Sequence, residues 1–422
     1  MTSLNRPCSE FEVAVSKGPA SPATVAGVAA VCVAMLVDSM LYSVVVPVLP
    51  VYTADLGASS FAIGVLFASY AVGLVLATPL LAWYSNRYGR RRPILLGSAA
   101  LAVTTVIYTA ADTYALLLAA RFLQGAAAAA VWTAGIALVA DLVPRERVGR
   151  SMGTVMACMS AGLVLGPPVG GALAELGGHR APFLVLAAIT VTSGLAQLQL
   201  IAEPSRPGAP SPPVRRLLYD RGLRGTVIAV FAAASALSML EPILPLELDA
   251  LGAGPLVVGL AFGAATLANA ATSPLIGIAA DRWRRDCMIG AGLVACGGVL
   301  PGFAFADTAF AISAVLVTFA IVYGLVIVPA LPELASVAER HSGRAYATVY
   351  AAFNVSYSLG MMLGPLVGGI AAAGSVDVAL AATGGVLCVC GLLVLTQATC
   401  RPTAAPPSES VANPVVPGKE SQ

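Results

Sequence analysis

From residue 27 to residue 398, long apolar stretches alternate with short charged or turn-forming ones. Each stretch is about 20 residues, enough to cross a hydrocarbon core of about 30 Å as a helix. Read between the charged punctuation, they predict helices near 27–50, 61–82, 94–110, 115–140, 151–174 and 181–200. A second set falls near 225–248, 256–279, 287–306, 309–335, 345–372 and 376–398. The first stretch is too long, and too poor in a small-residue cleavage site, for a removable signal peptide. Between the sets, 203–224 (EPSRPGAPSPPVRRLLYDRGLR) is rich in Pro, Ser and Arg and reads as a linker. The expected organisation is a tail at 1–26, a six-helix half at 27–202, the linker at 203–224, a second six-helix half at 225–398 and a tail at 399–422. Both tails have a composition that cannot build a core.

Composition sharpens this picture. Of 422 residues, 58% are hydrophobic and only 10% charged, whereas a soluble domain carries roughly 25% charged residues. A water-facing surface cannot be assembled from so few charges, which excludes a soluble enzyme, a nucleic-acid binder and a disordered scaffold. The fold class expected is an all-α membrane protein of twelve transmembrane helices. Eight cysteines without CxxC spacing and two distant histidines, His179 and His341, give no metal site and no disulfide framework. No nucleophile–base pair is present either, so no catalytic residue is assigned.

The net charge of +2 is uninformative, but its distribution is not. Alternate loops hold Arg87, Arg90, Arg91 and Arg92; then Arg145, Arg147 and Arg150; then the linker arginines. Arg282, Arg284 and Arg285 follow, then Arg340 and Arg344. With the tails, 21 of the 23 basic residues fall on one side; Arg180 is opposite and Arg121 lies inside a span. Basic loops stay cytoplasmic, so both termini are expected there. Loop 52–60 is short and the opposite loops carry no N-x-S/T sequon.

The two halves repeat each other. Pro47-Val-Leu-Pro50 recurs as Pro242-Ile-Leu-Pro245 at offset 195, and Gly64, Phe67, Pro79 and Leu80 recur as Gly259, Phe262, Pro274 and Leu275. The basic turn 86–91 matches 281–286, and GPPVGG at 166–171 recurs as GPLVGG at 364–369, now at offset 198. A constant offset through a helix pair is a duplication. Duplicated halves around a central site are the architecture of carriers that rock one half against the other.

These residues resemble the major facilitator superfamily over the whole membrane region. Its G-x-x-x-D-R-x-G-R-R signature appears as A-W-Y-S-Asn86-Arg87-Tyr88-Gly89-Arg90-Arg91, with Ala82 and Asn86 in place of the leading Gly and the Asp. The second copy, Gly277 to Asp281-Arg282, keeps both. Arg121-Phe-Leu-Gln124-Gly125 matches the R-x-x-Q-G signature, and Gly166-Pro167-Pro168-Val-Gly170-Gly171 resembles the antiporter signature. LVDSMLYSVVVPVLP (36–50), APFLVLAA (181–188) and MLEPILPLEL (239–248) resemble the vesicular amine transporters and their bacterial drug–proton antiporter relatives. The resemblance implies a proton-coupled antiporter exporting cationic or amphipathic amines or drugs, multidrug efflux included. It implies no cofactor beyond the proton gradient, and an organic cation, protons and the lipid bilayer as partners. No nucleic acid is expected, and the chain is read as a monomer. The sequence departs from the vesicular pattern at Tyr70, where a lysine is usual, and at Ile327 and Asn354, where acids are usual. Set beside the short loop 52–60 and the missing sequon, the resemblance implies a multi-pass protein of the cell membrane. A carrier of another solute (a sugar, an amino-acid derivative or an organic anion) and a transporter-like membrane sensor stay open as alternatives.

Charges within spans carry the candidate chemistry, since one at mid-bilayer costs about 2.5–3.5 kcal/mol. Asp38 lies about 11 residues into its span, roughly 16 Å deep. Either it is a carboxyl tied to a neighbouring helix, or it binds proton and cation in turn. Desolvation disfavours a carboxyl's charged form, so exchange of the two at one site is antiport. Glu241 lies in the outer half, before Pro242 and Pro245, and is expected to flank the same cavity as Asp38. Arg121 needs a carboxylate or backbone carbonyls as partner; the resemblance implies a role in proton coupling. Ser39, Tyr70, Trp132, Asn269, Asn354 and Tyr357 are candidate cavity-lining groups. Asn86, Arg87, Gly89, Arg90, Asp281 and Arg282 form a candidate gate, with Arg87 or Arg282 reaching Asp141 when it closes. Gly166, Pro167, Gly170, Gly171, Gly364 and Pro365 are read as tight helix seams.

Overall fold

Residues 22–201, 220–340 and 346–399 are described by a computed structural model, and among them twelve helices are long and apolar enough to span a membrane. The first half comprises α1 (Pro22–Val44), the short α2 (Leu49–Asp55), α3 (Ser60–Tyr88), α4 (Arg91–Ala110), α5 (Tyr114–Leu142), α6 (Arg145–Gly177) and α7 (Ala181–Leu200). The second comprises α8 (Arg221–Ala250), α9 (Pro255–Arg282), α10 (Arg285–Val299), α11 (Ala309–Arg340), α12 (Tyr346–Ala372) and α13 (Val376–Thr399). No strand occurs among the described residues. Most of the linker and of both tails lies outside them.

Prolines account for two departures from the predicted spans. The first helix stops at Val44, turns through 45–48 and resumes as α2, where a continuous span to residue 50 is expected. Pro47 and Pro50 lack the N–H that would continue the ladder. Their repeat counterparts Pro242 and Pro245 sit inside an unbroken α8, so the same motif bends one half more than the other. Likewise α10 ends at Val299 and finishes as a 3-10 turn over Leu300–Phe305 that contains Pro301. At the arginine-rich end the helices outrun the apolar stretches. Asn86, Arg87, Asp281 and Arg282 therefore lie on the last turns of α3 and α9, not in loops. Gly89 ends α3 with φ +91°, a backbone setting that side chains disfavour.

The duplication is visible in the packing. Helix α1 packs on α6 as α8 packs on α12, and α3 on α5 as α9 on α11. The first pair is matched down to single atoms. Ser43 Oγ donates to the Gly162 carbonyl at 3.3 Å, and Ser238 Oγ to the Gly360 carbonyl at 3.2 Å. Gly166 and Gly170 press α6 onto α1, and Gly364 presses α12 onto α8. The halves themselves meet along α3–α12 and α6–α9 at the end opposite the arginines. There a Cβ on Gly64 would sit 2.2 Å from the Pro365 carbonyl oxygen, and one on Gly259 2.2 Å from that of Pro167. Gly171 is as tight against Pro255. The Glu175 carboxylate adds a cross-half bond, accepting from the Leu256 N–H at 3.2 Å. The seam motifs thus divide between seams inside a half and seams between halves. By contrast, a Cβ on Gly149, Gly153 or Gly277, toward the arginine-rich end, would meet no atom within 4 Å.

An extra methyl has no room at the inter-half seam, and overpacking costs typically 1–3 kcal/mol. Gly64→Ala and Gly259→Ala are each expected to part the halves at this end. Spin labels on Leu56 and Leu251, one at each loop, should then show a longer-distance population. An unchanged distance distribution would mean that the seam yields without separating the halves.

Over the same end lies a small cap. The Tyr52 ring of α2 stacks on His179 with centroids 3.9 Å apart, and its hydroxyl donates to the Ala111 carbonyl at 2.7 Å. Arg180 pairs with Asp112 beside it. Burial and the Arg180 charge hold the His179 imidazole below its usual pKa. The cap is therefore firmest above the unfolded value of about 6.5 and loosens as pH falls below it.

Candidate functional site

The centre of the bundle is built around Asp38, which sits in the otherwise apolar midsection of α1 and is 2% exposed. Trp132 of α5 donates its indole N–H to Asp38 Oδ2 at 2.8 Å. The other oxygen, Oδ1, is buried and has no hydrogen-bond partner among the described residues. One helical turn further, on the same face of α1, the Tyr42 hydroxyl reaches across to the second half. It donates to the Glu241 carboxylate of α8, 2.9 Å from both Oε1 and Oε2. The two carboxylates thus face one central region, joined through α1.

Arg121 of α5 completes the cluster and is fully buried. Its guanidinium carbon lies 4.8 Å from the Tyr70 ring centroid, 5.2 Å from Tyr42 and 5.3 Å from Phe67. It donates through Nη1 to Gln124 Oε1 at 2.9 Å, and the Tyr108 hydroxyl donates to that same oxygen at 3.0 Å. Nε and Nη2 have no hydrogen-bond partner among the described residues. The partner expected for Arg121 was a carboxylate or backbone carbonyls; the structure supplies three ring faces and one side-chain amide instead. Cation–π attraction strengthens when the cation is desolvated, to about 2 kcal/mol or more, which offsets part of the cost of burying this charge.

Tyr70 links the parts. Its ring is tilted against Tyr42 at 4.9 Å, and it lies within electrostatic reach of Asp38 and Glu241. From the second half, Tyr357 of α12 approaches Glu241 and Tyr42, and Phe353 stacks on Tyr357 at 6.1 Å. Tyr323 of α11 adjoins Tyr357. The result is a wall of aromatic rings around two carboxylates and a guanidinium.

The remaining sequence candidates scatter. Ser39 is buried against Gly162 in the α1–α6 seam. Asn269 ties α9 to α11 by donating to the Ala320 carbonyl at 2.7 Å. Asn354 has an exposed side chain one turn from Tyr357 on α12. At the arginine-rich end, Asp141 is already held within its own half by Arg90, at 2.9 Å, in place of Arg87 or Arg282. Arg90 also donates to Ser85 Oγ and to Asn86 Oδ1. Asp281 accepts from Arg285 at 3.4 Å. Sequence reasoning missed Tyr42, Phe67, Tyr108 and the part of the Gln124 side chain. The signal for two of them was spacing: Tyr42 is four residues after Asp38, and Gln124 three after Arg121.

Two like six-helix halves that close on a charged, aromatic centre define a transmembrane carrier. The chain belongs to the Major Facilitator Superfamily, whose family model matches residues 31–222 and 226–420. Among curated relatives it is 33% identical over 359 residues to a probable vesicular acetylcholine transporter-B of Danio rerio, covering 80% of this chain and 72% of that protein. It is 29% identical over 320 residues to a synaptic vesicular amine transporter of Rattus norvegicus, covering 75% and 62%. Among solved structures, a bacterial homologue of the human lysosomal transporter Spinster, inward-facing and unoccupied, superposes with TM-score 0.71 at 16% identity, covering 90% of this chain and 94% of that one. The nucleoside transporter NupG superposes with TM-score 0.72 at 13% identity, covering 90% and 100%. The protein is therefore a multi-pass membrane transporter and not an enzyme.

Proposed function

We propose that the chain is a proton-coupled antiporter that exports small organic cations of the amine class by alternating access. Asp38 carries this reading. A carboxylate sealed in the membrane interior without an ion-pair partner among the described residues is too costly to stay bare. It must hold a proton or a cation, and a site that takes one at the expense of the other couples their flows. Glu241 supplies a second acceptor on the opposite half, so a bound cation can sense both halves at once. The rings of Tyr42, Tyr70, Trp132 and Tyr357 offer faces to a desolvated ammonium group. The relatives named for acetylcholine and amine transport favour the same class of substrate.

The cycle follows from this geometry. The open space around Gly149, Gly153 and Gly277, against the tight seams opposite, fits a state open toward the arginine-rich side. By the distribution of basic residues that side is the cytoplasm, and both termini lie there, in a cell membrane. A cation entering from the cytoplasm displaces the proton on Asp38. The halves then rock about the α3–α12 and α6–α9 seams, the cation leaves outward, and an external proton returns the carrier. Arg121, caged by aromatic rings in the same cluster, is assigned a role in proton coupling. The gradient is the energy source and no cofactor is needed. Closure of the cytoplasmic end would bring the α3 and α9 turns, with Arg87 and Arg282, toward each other; Arg90 and Asp141 move as one rigid unit in that step.

Everted membrane vesicles energised with a proton gradient test the proposal over a panel of cationic amines. Accumulation of at least one, abolished by a protonophore, is expected. Accumulation that persists without any gradient would exclude antiport.

A further inference from the structure

The arginine-rich end of the first half holds a recess on its outer, bilayer-facing side that the central cluster does not explain. Between the end of α3 and the start of α4 lies a cavity of about 480 Å³ lined by Arg87, Tyr88, Arg91, Arg92 and Leu95. Its surroundings are graded along the bilayer normal. Leu76 and Leu80 of α3 and Leu96 of α4 are exposed at hydrocarbon depth. Next come the exposed rings of Trp83 and Tyr88, edge to face at 6.3 Å, with Tyr84 against Tyr88 at 4.9 Å. The arginines follow, Arg87 lying over the Tyr88 ring at 5.8 Å. Apolar, aromatic and cationic groups in that order match acyl chain, interface and headgroup.

The internal repeat supplies an independent control. At offset 195 the second-half turn reads Asp281-Arg282-Trp283-Arg284-Arg285-Asp286, against Asn86-Arg87-Tyr88-Gly89-Arg90-Arg91 in the first. In the second copy both acids are occupied: Asp286 pairs with Arg284 at 2.9 Å and Asp281 with Arg285 at 3.4 Å. In the first copy those acids are Asn86 and Arg91. Arg90, the counterpart of Arg285, is satisfied by Asp141, and Arg91 reaches the Leu198 carbonyl at 2.7 Å. Arg87 and Arg92 have no acid within their own turn, which reads Asn86-Arg87-Tyr88-Gly89-Arg90-Arg91-Arg92. The first copy lacks these internal counter-ions, and it is the copy that holds the cavity.

We propose that this cavity binds the phosphate of an anionic phospholipid from the arginine-side leaflet, its acyl chains lying along Leu76, Leu80 and Leu96. The site is independent of the central cluster and of what the carrier transports. Guanidinium groups suit phosphate oxygens, and clustered basic residues at a membrane surface favour anionic lipid.

Trp83 reports on the site. In full-length protein carrying Trp283→Phe, Trp83 is the exposed indole, since Trp132 is bonded to Asp38 in the interior. Reconstitute it in phosphatidylcholine bilayers with either brominated phosphatidylglycerol or brominated phosphatidylcholine as a minor component. The phosphatidylglycerol should quench Trp83 several-fold more effectively. Arg87→Gln with Arg92→Gln should bring that excess down to the phosphatidylcholine level, since each basic residue contributes about fivefold in partitioning. Should the double variant fail to fold, Arg92→Gln alone should give an intermediate loss. Equal quenching by the two lipids, or an excess untouched by the arginine variants, would overturn the proposal. So would displacement of the brominated phosphatidylglycerol by millimolar inorganic phosphate, which would make a free anion the ligand.

Discussion

Asp38→Asn is expected to abolish gradient-driven transport while leaving an inserted, folded carrier. The amide is nearly isosteric, and its oxygen can still accept the Trp132 indole N–H that now bonds Asp38 Oδ2 at 2.8 Å. What disappears is the ability to exchange a proton for a cation, so transport against the gradient should fall to the background of empty vesicles. Asp38→Glu keeps a titratable group, displaced by one methylene, and should retain part of the activity. Initial rates of cation uptake in proteoliposomes with and without an imposed pH gradient read this out. Wild-type rates in the Asn variant would reduce Asp38 to a carboxyl that only ties α1 to α5.

The second large effect is expected at Glu241, and it separates recognition of charge from general hydrophobic extrusion. A protonated amine entering the cavity loses hydration and needs a nearby negative charge, whereas a neutral analogue does not. Glu241→Gln keeps an oxygen to accept the Tyr42 hydroxyl, so the bond between the halves survives while the charge is lost. Loss of a charge-assisted contact costs roughly 1.5–3 kcal/mol, about one to two decades in affinity. Equilibrium binding of a charged and a neutral ligand of similar shape should therefore diverge by that factor in the variant. Equal losses for both ligands, or none for either, would remove Glu241 from the cation site.

Helix count and the superfamily were both legible in the sequence, because bilayer thickness and repeated motifs leave long-range marks that survive local irregularity. Local backbone was less so. The prolines after Tyr42 break the first span yet their counterparts leave α8 whole, a difference that depends on tertiary packing and not on the motif. Basic turns looked like loops because charge ends an apolar stretch, whereas a helix can continue into the headgroup layer, as α3 does to Tyr88. At the centre, Asp38, Glu241 and Arg121 stood out because charge is rare in a span. Their partners did not. Tyr42 and Phe67 look like ordinary packing residues until the crossing of α1, α3, α5 and α8 brings them around Arg121. Asn269 and Ser39 are polar within spans for the opposite reason: each sits in a helix seam, where small or hydrogen-bonding side chains hold neighbouring backbones together.

Proton counterflow tests the exchange most directly. Purified carrier is reconstituted into proteoliposomes loaded with a transported, permanently charged amine and a pH-sensitive dye, with no initial pH gradient and the membrane potential clamped. As the amine runs out down its gradient, the lumen should acidify in the wild type, and should not in the Asp38→Asn variant. Efflux of the amine with no proton entering in exchange would contradict coupling at Asp38.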